Sequence, residues 1–280
     1  MLLNASGCLD ALVAPDVARA FDAFVTKTVT PEPRDGNPPV RIAETDLGML
    51  NAIGLANPGR ERFVAHTLPR LRELGVPIWV SVGGFAAREF AATCERLTDV
   101  TIELNLSCPN VDEAPESAAA IVAACRMATD LPLYAKLSPA SWDVGEVARA
   151  VEAAGADGLS LVNTMRGLAL DETLRPRLAR ASGGYSGPAL KPIALAAVYA
   201  CRRVTQLPIV GMGGVCTGRD ALELIACGAT HVALGTVLFS DNTAAERVRA
   251  ELDEAAADIG LTHPDDAFCA AHETVARLAN

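Results

Sequence analysis

The chain has 280 residues, 50% of them hydrophobic, and a formal net charge of −10 at pH 7. This length and composition suit one large core, so we expect a single domain over residues 1–280. The negative charge repels nucleic acid and anionic membranes, so neither is an expected partner, and an anionic substrate needs local positive groups. No apolar run approaches the roughly 18 to 20 residues of a membrane helix. The N-terminal residues do not form a basic segment followed by an apolar one, as a signal peptide would, so we expect a cytoplasmic protein.

Short β-branched runs alternate along the chain with Ala-, Leu-, Arg- and Glu-rich segments of helical period. This pattern is typical of repeated βα units and a parallel sheet. Eight strands are predicted, at residues 3–6, 24–28, 78–82, 101–106, 133–137, 158–162, 208–211 and 231–235. Because eight parallel strands close into a barrel of about 250 residues, the sequence predicts an α/β fold of the TIM (β/α)8 type.

Helices are predicted between these strands, at residues 60–74, 86–97, 116–129, 144–154, 192–205, 218–227 and 242–259. The competing fold is a doubly wound open sheet, which usually begins with a glycine-rich loop after its first strand. Here the glycine-rich segments follow the seventh and eighth strands, where many barrels bind phosphate. The glycine positions therefore favour the barrel.

Two connections, 30–59 and 163–190, are too long to be simple turns. Loops of this length in a compact domain are usually functional. Both follow strands, so we expect them at the C-terminal face of the barrel, where barrel chemistry takes place.

Lysine is rare, because only three of the 24 basic residues are lysine: Lys27, Lys136 and Lys191. Lys27 and Lys136 end predicted strands, so we expect their ammonium groups at the barrel mouth, where a compact charge can neutralise a substrate carboxylate. An ordinary surface lysine is the alternative for each. Lys191 lies at a predicted helix start and is expected to be structural.

Residues 102–110 read IELNLSCPN. Alternation places Glu103, Asn105 and Ser107 on one side, and the Cys-Pro step ends the strand, so Cys108 is expected at the barrel mouth. A thiol there can act as nucleophile, metal ligand or general base, and from spacing alone a structural cysteine is an equal alternative. None of the eight cysteines is spaced C-x-x-C or clusters with histidine, so we expect no metal in this chain.

Glycine-rich segments indicate a phosphate site. GMGGV at 211–215 and ALGT at 233–236 follow the last two predicted strands, and GGYSG at 183–187 precedes a helix. Glycine lets backbone N–H groups approach phosphate oxygens, and a helix N-terminus adds its dipole. The pattern predicts a phosphorylated ligand of unspecified kind, with turn glycines that bind nothing as the alternative.

With these motifs, the chain resembles the dihydroorotate dehydrogenase family over nearly its whole length. The matching motifs are NASG at 4–7, TKT at 26–28, GNPPVRIAET through GMLNAIGLANPG at 36–59, ELNLSCPN at 103–110, KLSP at 136–139, LVNT at 161–164, GGYSGPALKP at 183–192, GMGGV at 211–215 and LGT at 234–236. The resemblance implies FMN at the C-terminal face of the barrel. It also implies oxidation of (S)-dihydroorotate to orotate in pyrimidine biosynthesis.

The resemblance implies a set of site residues, with Cys108 as the general base of the soluble members. The implied FMN contacts are Ser6, Lys27, Thr28, Asn105, Lys136, Val162, Gly187, Gly213, Gly214, Gly235 and Thr236. The implied substrate contacts are Lys27, Asn51, Ala52, Ile53, Gly54, Leu55, Asn105, Asn163 and Thr164. The expected chemistry is removal of a proton from C5 by Cys108 and transfer of hydride from C6 to the flavin.

Two motifs, LVNTMRGLALD and GGYSGPALKP, are similar to the NAD-linked class rather than the fumarate-linked one. That class works with a second subunit that carries FAD and a 2Fe-2S cluster. The resemblance therefore implies a homodimer of this chain, joined by that subunit in a heterotetramer and passing electrons to NAD. Two departures stand out. Ser81 replaces an asparagine, so a shorter or water-mediated flavin contact is expected, and an acidic segment at 111–117 replaces a glycine-rich one.

Three other functions remain open at this point. One is another FMN barrel that acts on reduced pyrimidines, like a dihydropyrimidine dehydrogenase or a dihydrouridine enzyme. The second is a flavin-free, phosphate-binding lyase or isomerase barrel. The third is an FMN-binding module without activity.

Overall fold

The structure, a computed structural model, describes residues 1–106, 115–141 and 143–273. The strands of this part of the chain are β1 (Leu2–Asn4), β2 (Phe24–Val25), β3 (Ile42–Thr45), β4 (Gly48–Asn51), β5 (Ile78–Val82), β6 (Thr101–Asn105), β7 (Leu133–Leu137), β8 (Gly158–Leu161), β9 (Met165–Leu168), β10 (Ser182–Ser186), β11 (Ile209–Met212) and β12 (His231–Leu234). Eight of them form one parallel sheet in the order β1-β12-β11-β8-β7-β6-β5-β2. The predicted barrel is confirmed.

The barrel closes between β1 and β2. Leu3 pairs in parallel with Ala23. The side chain of Asn4, which is 0% exposed, adds two bonds: its Nδ2 donates to the Val25 carbonyl over 2.8 Å, and its Oδ1 accepts from the Val25 N–H over 2.8 Å. An amide thus extends the ladder at the seam, where a one-residue slip would turn inward-facing side chains outward.

The second strand is shorter than the predicted 24–28 because its ladder is interrupted. Val25 pairs with Trp79 and Val29 with Val82, so four steps along one strand match three along the other. The extra residue is a β-bulge, and the N–H of Ser81 donates to the Thr26 hydroxyl over 3.1 Å within it. The bulge contains Lys27 and Thr28, two residues of the candidate site.

The lower half of the barrel is filled with apolar side chains. Trp79 and Tyr134 pack with ring centroids 4.4 Å apart. Gly158 makes room for this pair, because a Cβ there would lie 2.3 Å from the Tyr134 ring. The rest of this inner cluster is Leu3, Ala23, Val25, Val210, Met212 and Ala233. Because apolar side chains fill the N-terminal half of the barrel interior, polar groups can occupy the C-terminal end.

The helices are α1 (Pro15–Arg19), α2 (Arg60–Arg62), α3 (Leu68–Arg72), α4 (Ala87–Cys94), α5 (Pro115–Ala128), α6 (Val144–Ala153), α7 (Lys191–Arg202), α8 (Gly218–Ala226) and α9 (Ala244–Asp258). A π-helical turn, Phe63–Thr67, joins α2 to α3, and 3-10 turns cover Pro188–Leu190, Thr236–Phe239 and Pro264–Ala267. The seven predicted helices are all found, with ends shifted by a few residues. Across the described residues, no helix has the length and apolarity needed to cross a membrane.

The two long connections pair with each other, which the sequence did not predict. β3 and β4 lie in the first and β9 and β10 in the second, and together they form an antiparallel sheet in the order β3-β4-β10-β9. Glycine is required in β10 because β4 lies close to it: a Cβ on Gly183 would be 2.5 Å from the Asn51 carbonyl oxygen, and Gly184 is similarly crowded by Thr164. These glycines also gave the segment the sequence signature of a loop.

Candidate functional site at the barrel mouth

Polar side chains gather where the barrel strands end. The C-terminal ends of parallel strands lie on the same face of a barrel, so residues far apart in sequence become neighbours. The implied contact residues at these ends are Ser6 after β1, Thr28 after β2, Asn105 at the end of β6, Lys136 near the end of β7, Val162 and Asn163 after β8, Gly213 and Gly214 after β11, and Gly235 after β12.

A chain of hydrogen bonds links three of these strand ends. The Asn105 amide donates to the Thr28 hydroxyl over 3.1 Å, and its carbonyl accepts from the Asn163 amide over 2.9 Å. The Asn163 carbonyl in turn accepts from the Thr164 N–H over 2.8 Å. Each amide is fixed in one orientation by these partners. Both amides are half-buried, so they can present remaining polar groups to a ring with N–H and C=O edges.

Ser81 supports this chain from below. Its hydroxyl lies 3.0 Å from the Thr28 hydroxyl, and the residue is 0% exposed. The sequence predicted a short or water-mediated contact between Ser81 and a flavin. The structure instead buries Ser81 beneath Thr28, so it positions that hydroxyl.

Lys136 forms a buried ion pair. Its Nζ lies 3.4 Å from Glu103 Oε1, and the two side chains are 5% and 1% exposed. The same ammonium donates to the Ser6 hydroxyl over 3.0 Å, which connects β7 to the loop after β1. The positive charge is thus held within the barrel just below its mouth.

Lys27 is the second amine of the site and packs over Gly7. Its Nζ lies 3.1 Å from the position that a Cβ on Gly7 would occupy. Burial lowers the pKa of the Lys27 amine, and the charge of Lys136 acts in the same direction. Burial raises the pKa of the neighbouring Cys8 thiol, which therefore stays neutral at pH 7. The two lysines are the source of positive charge that the sequence predicted for this face.

Glycines line the opposite side of the mouth. Gly213 and Gly214 follow β11 with φ of 123° and 75°, and Gly187 precedes a 3-10 turn with φ of 122°. The Thr236 hydroxyl, after β12, donates to the Ser186 hydroxyl over 2.8 Å and connects two of the loops. Loops of this kind expose backbone N–H groups to an anion.

The glycine loops and the donor set fit the FMN that the resemblance implies. A Cβ on Gly214 would lie 2.7 Å from the Lys191 backbone nitrogen and 2.9 Å from the Pro188 carbonyl oxygen. The Gly214 loop and the segment 188–191 therefore approach each other so closely that only glycine fits at position 214. Backbone N–H groups suit a phosphate, and two amines with two amides suit the polar edge of an isoalloxazine ring. Both ends of the cofactor thus have matching groups.

We expect Gly214→Ala to raise the FMN dissociation constant about ten- to a hundredfold, because a Cβ would displace the loop or strain its backbone. Quenching of FMN fluorescence on titration with the purified protein measures this constant. Gly75→Ala is the matched control, since Gly75 also has φ of 75° but has no atom within 4 Å of its Cβ position. Equal affinity in the two variants would contradict a role for the Gly214 loop in FMN binding.

Residues 51–55, the implied substrate loop, leave the end of β4. The Asn51 amide donates to the Gly184 carbonyl over 3.2 Å, and Thr164 packs against Gly184 from the other side. This contact joins the start of the loop to the amide chain. The rest of the loop, Ala52 to Leu55, is held by Asn37, whose N–H and side-chain amide donate to the Ile53 and Ala52 carbonyls.

Cys108, the expected base, and most of the acidic 111–117 segment lie outside the described residues. Among the described ones, the sequence did not assign a role to Glu103, Cys8 or Asn37. One feature of the sequence could have indicated that Glu103 belongs to the site, namely that alternation places it on the same strand face as Asn105. Cys8 follows the NASG motif directly, but its apolar surroundings gave it the signature of a core cysteine.

The comparisons with known proteins point to the family that the sequence motifs indicated. Residues 1–255 match the family model described as dihydroorotate dehydrogenase. The catalytic subunit of dihydroorotate dehydrogenase B (NAD(+)) from Listeria innocua is 41% identical over 93% of this chain and 91% of its own. The subunit of the same name from Latilactobacillus sakei is 45% identical over 86% of this chain and 84% of its own. The structure of dihydroorotate dehydrogenase from Eimeria tenella in complex with ferulenol superposes with a TM-score of 0.82, covering 97% of this chain and 85% of that one, at 23% identity.

Proposed function

We propose a mechanism for this chain from one premise: it belongs to the dihydroorotate dehydrogenase family. It is accordingly an oxidoreductase that converts dihydroorotate to orotate in pyrimidine biosynthesis. The observation that carries the assignment of individual roles is the mouth itself, where two lysines, two amides and a set of glycine loops surround one opening.

FMN is the proposed cofactor, and when bound it accepts the hydride that leaves the substrate. The phosphate would be held by backbone N–H groups of the loops at Gly187, Gly213, Gly214 and Gly235, with Thr236 beside them. Lys136, Ser6, Thr28 and Asn105 would face the ring, and Val162 would pack against it. These roles rest on the resemblance and on the positions described above.

The substrate would lie over the same opening. Lys27 is the group suited to its carboxylate, because it is the less buried of the two amines and is not described in an ion pair within 4.0 Å. Asn105, Asn163 and Thr164 would bind the amide edges of the pyrimidine ring, with residues 51–55 covering it. The amide chain fixes the orientation of these groups before the substrate arrives, which lowers the entropic cost of binding.

Cys108 is the proposed base that removes the C5 proton. Cys108 comes three residues after Asn105 in the sequence, and Asn105 ends β6 at the mouth. Removal of a proton by a positioned side chain contributes roughly 10²- to 10⁴-fold to a rate. The negative charge that develops on the ring would be offset by Lys27 and the amide N–H groups.

A second subunit is part of the proposal. The relatives' names include the words catalytic subunit, which imply a further subunit in those proteins. For this chain we propose a homodimer joined by a subunit that carries FAD and a 2Fe-2S cluster, with NAD as the final acceptor. A cytoplasmic location, a single domain and the absence of a metal in this chain remain predictions of the sequence.

The proposal is tested by FMN binding followed by a choice of substrate. We expect the purified chain to bind one FMN and to oxidise dihydroorotate with an artificial electron acceptor, while dihydrouracil, which has no carboxylate, is a poor substrate. Preference for dihydrouracil would favour another reduced-pyrimidine enzyme. Failure to bind FMN would favour a flavin-free phosphate-binding barrel. Isolation of the chain from its native host with an FAD and iron–sulfur protein would test the partner separately.

A further inference from the structure

Glu103 is a buried carboxylate that the proposed reaction does not use. It belongs to β6, where it lies in register with Ser81 on one side and Tyr134 on the other. Its side chain is 1% exposed, and within the described residues its ion-pair partner is Lys136. A charge buried this deeply is strongly disfavoured unless it is paired. Its presence next to a site residue therefore calls for a physical role.

The balance of charge at the mouth suggests what this role is. Lys27 and Lys136 supply two positive charges and Glu103 one negative charge, so these three groups together leave one net positive charge. The carboxylate of bound dihydroorotate balances it. A two-electron reduction of FMN with uptake of one proton adds a further negative charge to the ring. Glu103 opposes this added charge, and the low dielectric of the barrel interior makes the opposition effective.

We propose that Glu103 is a positioning residue that lowers the reduction potential of the flavin by partly cancelling the charge of Lys136. The inference rests on the proposed FMN site. A lower potential disfavours retention of electrons on the flavin and favours their transfer to an acceptor. The carboxylate also fixes the ammonium from below, while the Ser6 hydroxyl holds it from the side over 3.0 Å.

The test is the midpoint potential of the FMN-loaded protein, measured by equilibration with a reference dye, together with the dissociation constant of oxidised FMN. We expect Glu103→Gln to raise the affinity for reduced over oxidised FMN about tenfold, which is a shift of about 30 mV to more positive potential for a two-electron couple. Glu103→Asp keeps the charge but moves it away from Lys136, so we expect a smaller shift of the same sign. A purely structural role would change stability and leave the potential in place.

Ser160→Ala is the matched control. Ser160 is the register partner of Lys136 on β8 and is 0% exposed, and its hydroxyl has no hydrogen-bond partner among the described residues. Loss of this hydroxyl removes a buried polar atom beside the same lysine without changing a charge, so we expect no shift in potential.

An unchanged or more negative potential in a Glu103→Gln protein that binds FMN would overturn the inference, even if the unmutated protein oxidises dihydroorotate as proposed. If Glu103→Gln does not fold, the Glu103→Asp variant is used instead, and an unchanged or more negative midpoint potential in that variant would likewise overturn the inference. Failure of the unmutated chain to bind FMN would overturn the proposed function, and this inference with it.

Discussion

Replacement of Cys108 by alanine should slow the reduction of bound FMN by dihydroorotate by about 10²- to 10⁴-fold, the contribution expected of a general base. Formation of the double bond of orotate requires loss of a proton from C5 as well as a hydride from C6, and an alanine cannot accept that proton. FMN itself should remain bound, because the glycine loops proposed to hold its phosphate belong to other strand ends. Anaerobic rapid mixing, followed by the loss of visible flavin absorbance, measures the rate.

Cys227→Ala is a suitable control for this variant. Cys227 is half-buried at the end of α8, at the opposite end of the barrel from the mouth. We expect its flavin to be reduced at the unmutated rate. Reduction at full rate in Cys108→Ala would mean that another group removes the proton.

Replacement of Lys27 by methionine should reduce kcat/KM for dihydroorotate about 10- to 150-fold, the equivalent of a lost hydrogen bond to a charged group of about 1.5–3 kcal/mol. The effect should be small for dihydrouracil, which has no carboxylate for the amine to bind. Steady-state kinetics with both substrates therefore separate loss of a specific contact from general damage to the site.

The same amine predicts a dependence on pH. Burial lowers the pKa of Lys27, so the amine loses its proton at a lower pH than the ordinary value of 10.5. Only the protonated form attracts the carboxylate, so KM for dihydroorotate should rise as pH increases through this lowered pKa. The rise should be absent with dihydrouracil and in Lys27→Met.

Arg249→Met is the control for lost positive charge. Arg249 pairs with Asp22 over 3.0 Å, next to the start of β2 and away from the mouth. We expect its KM for dihydroorotate to equal that of the unmutated protein. An equal loss of activity on both substrates in Lys27→Met would contradict the assignment of Lys27 to the carboxylate.

The barrel was predictable from the sequence because its strands carry their own signal. Buried parallel strands such as β5 and β7 are mostly apolar runs with one polar residue each, and the amphipathic helices between them have a clear period. The small sheet of β3, β4, β9 and β10 lacked such a signal. Its strands are held by pairing between two distant segments, and glycines in β10 make room for that pairing at the expense of strand-like composition.

The site was predictable at the strand ends and less so beneath them. Lys27 and Asn105 could be placed at the mouth because both end predicted strands. The ion pair between Glu103 and Lys136 could not be derived, since alternation says which residues share a face but not which of them meet across 33 positions of sequence. The β-bulge at Lys27 could not be predicted either, because it depends on the register between β2 and β5.

We propose that a thiol, two amines and a chain of amides surround one flavin and one pyrimidine at the mouth of this barrel. A crystal structure of the protein with FMN and orotate bound would test this arrangement. We expect the orotate carboxylate on Lys27 and the Cys108 sulfur about 3–3.5 Å from C5 of the ring, which is the separation of reacting atoms. A Cys108 sulfur that points away from the ring, or FMN bound elsewhere on the protein, would contradict this arrangement.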